Sequence, residues 1–308
     1  MVREARRPNV EPCRSSVERC REAWDHRGVS GTLYLVGTPI GNLGDVSDRA
    51  RETLRDVDVI AAEDTRRTGR LLQACGIDGR LVSLFEGNER ERTEELLEAL
   101  RGGADVALVS DAGMPSVSDP GYRLVRACID ADVDVRVVPG PSAAIAALVV
   151  SGLPTDRFVF EGFLPRRAGE RGERLRALRR DPRTIVLFES PRRVAMLLRD
   201  VLAELGDRRV ALARELTKLH EEVVRGTVSE VLERLADAAP KGEVVVVLEG
   251  ASESDTPPLA DLIEEARALV GAGWRKRQAA TEVARRHGAS ANAVYTALVR
   301  APTPTIET

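Results

Sequence analysis

Aromatic side chains are scarce, 3% of 308 residues, and that shortage excludes much. Stacking platforms for single-stranded bases are few, which argues against RRM-like or OB-like readers. The hydrophobic interior must therefore come from Leu, Val, Ala and Ile. Four cysteines, Cys13, Cys20, Cys75 and Cys128, include no CxxC pair, and the three histidines are scattered. No metal-ligand spacing can be drawn from them, so reduced thiols and no metal are expected. No apolar run approaches the roughly twenty residues that cross a bilayer, and the first thirty residues are charged with no h-region. A cytoplasmic protein with no membrane partner is expected. Lysine is nearly absent: Lys218, Lys241 and Lys276 are the three among 46 cations, the rest being Arg. The formal net charge of −3 thus hides local Arg clusters, and such clusters matter more than the total.

What is present is a globular composition, 43% hydrophobic, long enough for two packed cores and a small third element. From Leu33 short apolar runs alternate with amphipathic helices. The runs are LYLVG from Leu33, VDVIAAED from Val57, LVSL from Leu81, VALVSD ending at Asp111 and VRVVPG ending at Gly140. Five strands with crossover helices predict a parallel sheet covered on both faces. SGLPTD, Ser151 to Asp156, interrupts the pattern and sets a boundary, giving an N-terminal α/β domain over 32–152. Over 153–251 the chain reads as five strands, FVFEGF, TIVLFES, VALARELT, EVVRGT and EVVVVLEG, with two clear helices. More strand than helix predicts a mixed sheet. Residues 256–301 read as a helix-turn-helix-like tail, with GAGW and HGAS as turns and Ser290 as an N-cap. No internal repeat or low-complexity tract is present.

The strand ends hold the chemistry. LVSDAGMPSVSDPG, Leu108 to Gly121, and VVPGPSA, Val137 to Ala143, each stop an apolar run at small residues and turn formers, as where a buried parallel strand meets a ligand. Asp111 can accept hydrogen bonds from an amine or a ribose hydroxyl, and Ala112 and Gly113 let a ligand lie against the main chain. Asp119 reads as the cap of the following helix. Ser142 and Ala143 open the apolar helix AAIAALVV, either as a plain cap or as donors to a ligand. GTPIGNLGD, Gly37 to Asp45, carries Pro39 and serves as a tight turn or as the floor of a site; it matches neither GxGxxG nor the P-loop. AAEDTRRT gathers Glu63, Asp64, Arg66 and Arg67 as a paired surface group or as a substrate-positioning base. RELTKLHEE poses the same choice for Lys218. Arg166 to Arg183 carries eight Arg against three acidic residues. With Arg192, Arg193 and the tail cations, this favours a nucleic-acid partner.

In order, VGTPIGNLGD, AAEDTRRT, SDAGMPSVSDPG, VPGPSA, EGFLP, ESPRR, RELTKLHEE and KGE resemble the tetrapyrrole-methylase superfold. Within it they resemble the ribosomal RNA small subunit methyltransferase I family, which methylates a cytidine ribose 2′-oxygen in 16S rRNA. The resemblance spans about Thr32 to Ala251, and the tail is similar to that family's C-terminal segment. It implies S-adenosylmethionine in a cleft between two α/β domains, a homodimer, and 16S rRNA presented by the small ribosomal subunit. By motif match Pro39, Asp111, Ala112, Gly113, Val117, Ser142 and Ala143 would line the cofactor site, with Glu189 and Ser190 contributing. The tetrapyrrole branch carries GDP at the middle motif where this chain has SDAGMP, which favours the RNA branch.

On that resemblance Glu63 or Asp64 is the expected proton acceptor and Lys218 or Arg66 its electrostatic partner; a mechanism without a base stays open. Arg66, Arg166, Arg167, Arg192, Arg193 and Arg214 are the expected RNA contacts, and the tail an auxiliary rRNA-docking element. Methylation of a tetrapyrrole or another small metabolite is the alternative. Residues 1–31 fall outside the resemblance and read as a disordered basic leader or as the product of a start codon set too far upstream.

Overall fold

A computed structural model of the chain describes residues 30–237, 241–252 and 259–300. Cys13 and Cys20 and, apart from residues 30 and 31, the expected leader lie outside them. The chain forms two compact units that part between Pro141 and Ser142.

The first unit holds β1 Thr32–Val36, β2 Val59–Ala62, β3 Leu81–Ser83, β4 Val106–Val109 and β5 Asp134–Val138, with helices α1 Asp48–Asp56, α2 Thr65–Cys75, α3 Glu89–Arg101 and α4 Tyr122–Asp130. Its sheet runs β3-β2-β4-β1-β5 with every pairing parallel. Strand alternation explains its two hydrophobic layers. Val59 and Ala61 enter one cluster with Leu33, Val106 and Leu108; Ile60 and Ala62 enter the other with Val36, Ala107 and Val109. Both faces are thus covered, and the runs VIAA and VALV are buried at every position. Ser47 caps α1 by accepting from the Ala50 N–H at 3.1 Å, and Gly76, with φ 64°, closes α2 in the left-handed conformation. The chain leaves β1 towards β2 and leaves β4 towards β5, in opposite directions across the sheet. The carboxyl ends of β1 and β4 therefore form the switch point where ligands bind in open α/β sheets.

The second unit begins with α5 Ala143–Ser151 and continues through β6 Phe158–Phe163, α6 Ala168–Leu178, β7 Thr184–Glu189, α7 Val194–Leu205, β8 Arg209–Arg214, β9 Glu222–Thr227, α8 Val228–Asp237 and β10 Val244–Leu248. The order β6-β7-β10-β8-β9 is mixed, parallel between β6 and β7 and antiparallel elsewhere. Its core joins Leu175 and Leu178 of α6, Leu197, Leu198 and Val201 of α7, and Ile185, Leu187, Val246 and Leu248 from the sheet. Helix α5, placed by sequence with the first domain, packs on the second sheet and buries Ala144, Ala147 and Leu148.

Helix α6 was not foreseen: the stretch Arg166 to Arg183 reads as a charge cluster because few apolar residues mark its buried face. Its Arg171 is 1% exposed, bonded at 2.6 Å to Asp200 of α7 and to the carbonyls of Pro165 and Arg166. Three further cations of that stretch are answered from the same region: Arg174 by Glu161, Arg176 by Glu204 and Arg183 by Asp181. Much of the local charge excess is therefore structural.

The tail folds as α9 Leu259–Gly271, α10 Lys276–His287 and α11 Ala291–Arg300. It encloses its own small core of Leu262, Ala266, Ala280, Val283, Ala284, Val294 and Leu298. Ser290 accepts from the Ala293 N–H at 3.3 Å, as the turn chemistry predicts.

Candidate active site

Beyond β1 the backbone of Gly37 lies against that of Gly140, which follows β5. A Cβ on Gly37 would stand 2.6 Å from the Gly140 Cα, so neither position admits a side chain. The loop after β1 is joined to the loop after β4 by a two-way bridge, Thr38 N–H to Gly113 O at 2.9 Å and Gly113 N–H to Thr38 O at 3.1 Å. The Thr38 hydroxyl also donates to the Ser110 carbonyl at 3.1 Å. Pro39, Asp111, Ala112 and Gly113 thereby share one edge, at the switch point.

Farther along the same loop Ser116 and Ser118 have φ of 68° and 63°, a region that non-glycine residues avoid. Val117 between them is exposed, and the Ser116 Oγ is buried with no hydrogen-bond partner. Backbone strain and an unanswered polar atom together characterise loops shaped by a ligand. Ser142 and Ala143 belong to the second unit, where the Ser142 hydroxyl accepts from the Ile145 N–H at 3.5 Å as the N-cap of α5.

Carboxylates gather beside this edge at the ends of neighbouring β2 and β4. The Asp64 N–H donates to Asp111 Oδ1 at 3.0 Å, the Asp111 N–H points to Glu63 Oε2 at 3.4 Å, and Arg67 pairs with Asp111 at 3.2 Å. Asp64 caps α2, accepting from the Arg66 N–H at 2.8 Å and pairing with its guanidinium at 2.9 Å. Hydrogen bonds from Arg66 hold the Asp64 carboxyl down at about 2. Glu63 moves the other way: burial raises its pKa, and the charges of Asp111 and Asp64 add to the rise against the Asp111 N–H and Arg67.

Asp119 is the residue that sequence reasoning missed. Helix α4 is not capped by it; Glu89 Oε1 of α3 accepts from the Gly121 and Arg123 N–H groups at 2.9 and 3.3 Å. Burial instead pushes the Asp119 carboxyl up to about 6, reinforced by the charges of Glu63 and Asp111 and opposed by a hydrogen bond with Ser110. The one sequence signal was the repeated Ser-Asp at 110–111 and 118–119.

In the second unit Glu189, at the end of β7, has a carboxylate 1% exposed, which accepts from the Ser190 N–H at 2.7 Å and pairs with Arg193 at 3.1 Å. Arg214 pairs with Glu222 at 2.8 Å, and Arg167 with Glu170 at 3.1 Å. Arg166 and Arg192 are exposed and have no ion pair among the described residues. The Lys218 ammonium lies 2.9 Å from Glu215 and 3.2 Å from Glu243. Burial lowers its pKa, but those carboxylates more than compensate and the net direction is up. Among the described residues no group of His, Cys, Asp and Glu could hold a metal ion, and no helix is long and apolar enough to cross a membrane.

Residues 32–232 match the family Tetrapyrrole (Corrin/Porphyrin) Methylases. Over 257 residues the chain is 48% identical to ribosomal RNA small subunit methyltransferase I of Synechocystis sp., covering 82% of this chain and 92% of that one. The chain belongs to the ribosomal RNA small subunit methyltransferase I family. The Escherichia coli O157:H7 protein of that name is 47% identical over 270 residues, covering 86% of this chain and 93% of its own. The tetrapyrrole-methylase fold is also seen in the methyltransferase CobJ, with TM-score 0.56 and 21% identity over 72% of this chain and 95% of that one. Diphthine synthase shares it at TM-score 0.56 and 18% identity, over 72% of this chain and 90% of the other.

Proposed function

We propose that the protein transfers a methyl group from S-adenosylmethionine to the ribose 2′-hydroxyl of a cytidine in the decoding region of 16S rRNA, on the small ribosomal subunit, in the cytoplasm and as a homodimer. That it is an S-adenosylmethionine-dependent methyltransferase of ribosomal RNA rests on one observation above the others. It is nearly half identical, over most of its length, to relatives named for that activity. Methylation of a small tetrapyrrole is disfavoured by the same identity.

The residues present fit the cofactor. Gly37 and Gly140 let the loops after β1 and β5 meet backbone to backbone, the exposed Ala112 sets only a methyl group at the switch-point edge, and the unanswered Ser116 Oγ offers a polar contact there. Glu63, Asp111 and Asp119 gather acidic groups beside that edge, which favours a ligand with positive charge. When bound, S-adenosylmethionine supplies an electrophilic methyl group on a sulfonium. Pro39, Asp111, Ala112, Gly113, Val117, Ser142 and Ala143 are the residues proposed to hold it, which makes alignment the main catalytic task.

A ribose hydroxyl is a weak nucleophile until its proton leaves. Of the two candidate acceptors Glu63 is preferred, because its raised pKa brings it nearer to neutrality while Asp64 is committed to Arg66 and to its helix. Lys218, kept cationic by two carboxylates, and Arg66, paired with Asp64, are both retained as the proposed electrostatic partner. Arg66, Arg166, Arg167, Arg192, Arg193 and Arg214 remain the proposed RNA contacts. Arg166 and Arg192 are the freest of them.

Radiolabel transfer from S-adenosylmethionine to small subunits lacking the modification, followed by nucleotide mapping, tests the reading. Label in a cytidine ribose is expected; label in a base, or none in rRNA, refutes it. Glu63→Gln is expected to lower turnover about a hundredfold with cofactor affinity unchanged. A loss under about tenfold removes Glu63 as the base.

A further inference from the structure

Cations on the tail are unevenly answered. At the end of α10, Arg285 pairs with Glu282 at 2.7 Å and Arg286 with Glu265 at 3.1 Å. At its beginning, Arg275, Lys276 and Arg277 have no ion pair with any described residue, and the first turn holds no acidic side chain. Residues 271–278 are exposed without a break. Trp274 is 44% exposed, in a chain with two tryptophans in all. The Arg277 guanidinium carbon lies 6.0 Å from the centre of the Tyr295 ring on α11.

This arrangement opposes the helix's own preferences. Positive charges in a first turn work against the helix dipole, and a half-exposed indole leaves apolar area in water. Both cost folding free energy, and among the described residues the cation–π contact of Arg277 with Tyr295 offsets them only in part. A position that breaks a local rule without internal compensation is a candidate for function.

We propose that the turn between α9 and α10, Trp274 to Arg277 together with Tyr295, docks a single-stranded or loop segment of the substrate RNA. The three cations meet phosphates and the indole stacks on a base. This rests on the reading of the protein as an rRNA methyltransferase and assigns that reading's tail contact to a particular surface. Phosphate contacts and aromatic stacking on unpaired bases are the combination by which proteins hold single-stranded RNA. An acidic protein segment would answer the cations but would leave the indole without its natural partner. Helix α11 is a poorer substitute: of its exposed residues Ala291, Asn292, Ala293, Val299 and Arg300, only the last carries charge.

The full-length chain provides the test, with Trp24→Phe as background so that Trp274 is the one indole. Quenching of its fluorescence by deproteinised 16S rRNA is expected. In methyl transfer to small subunits, Arg275→Gln/Lys276→Gln/Arg277→Gln and, separately, Trp274→Ala are each expected to raise KM about tenfold, with kcat and cofactor affinity within about twofold. The triple variant should also flatten the salt dependence of binding by about two to three in log-log slope. Unchanged KM and slope in variants that still methylate the subunit overturn the docking surface alone. A patch effect that appears with intact subunits but not with deproteinised rRNA assigns the surface to a ribosomal protein and equally overturns it. If instead rRNA quenches Trp274 but intact small subunits lacking the modification receive no methyl group from the unaltered chain, the docking surface stands and the reaction reading fails.

Discussion

Two carboxyl groups at one sheet edge are driven in opposite directions by their surroundings. Asp64, met by the Arg66 guanidinium and N–H, ionises at about 2, whereas Asp119, half-buried beside Glu63, holds its proton up to about 6. The sign of the stability effect follows. Between about pH 4 and 6 folded Asp119 keeps a proton that the unfolded chain, where an aspartate ionises near 3.8, has lost, so stability falls as pH rises through that window and is level above it. Unscreened, a two-unit shift is about 3 kcal/mol, and solvent access to a half-buried group reduces it to about 1–2 kcal/mol. Asp119→Asn is therefore expected to exceed the parent chain in stability by about 1–2 kcal/mol at pH 7.5 and to match it at pH 4, in urea unfolding at both values. An equal margin at the two pH values would show that Asp119 titrates normally.

Helices and strands with local signals were legible beforehand. Ser47, Gly76 and Ser290 stand where caps belong, and the runs at β2 and β4 are apolar throughout because both faces are covered. Legibility failed where the partner is distant in sequence. Glu89 caps α4 from 32 residues away, and Arg171 is a core residue because Asp200 lies on the neighbouring helix. The edge built at the switch point belongs to this second kind, since the contact of Gly37 with Gly140 follows from strand order. Gly37→Ala would place a methyl 2.6 Å from the Gly140 Cα and 2.8 Å from the Met114 sulfur, and the backbone can yield only by parting the two loops. A loss of about 2–3 kcal/mol is expected, together with loss of cofactor binding by calorimetry. Gly69→Ala in α2, where the new methyl meets Leu81 at 3.6 Å, is the contrasting case. It should stabilise the chain by about 0.5–1 kcal/mol and leave that binding intact.

A chain with formal net charge −3 that binds RNA must keep its cations apart from its anions, because the summed charge is repulsive towards phosphate. In the second unit much Arg charge is spent internally, on Asp200, Glu161, Glu204 and Asp181. The tail begins α10 with unanswered charge and has a core of its own, distinct from that under the second sheet. Its removal therefore subtracts RNA attraction without dismantling the fold that carries the switch-point edge. A chain ending at Asp255 is expected to bind S-adenosylmethionine within about twofold of full length, to need about tenfold more small subunit for half-maximal rate, and to lose about three in salt slope. Such a loss of slope, with kcat preserved on saturating subunits, separates docking from chemistry. Equal salt slopes for the two chains would mean that the RNA is held elsewhere, with Arg166 and Arg192 of the second unit the next cations to replace.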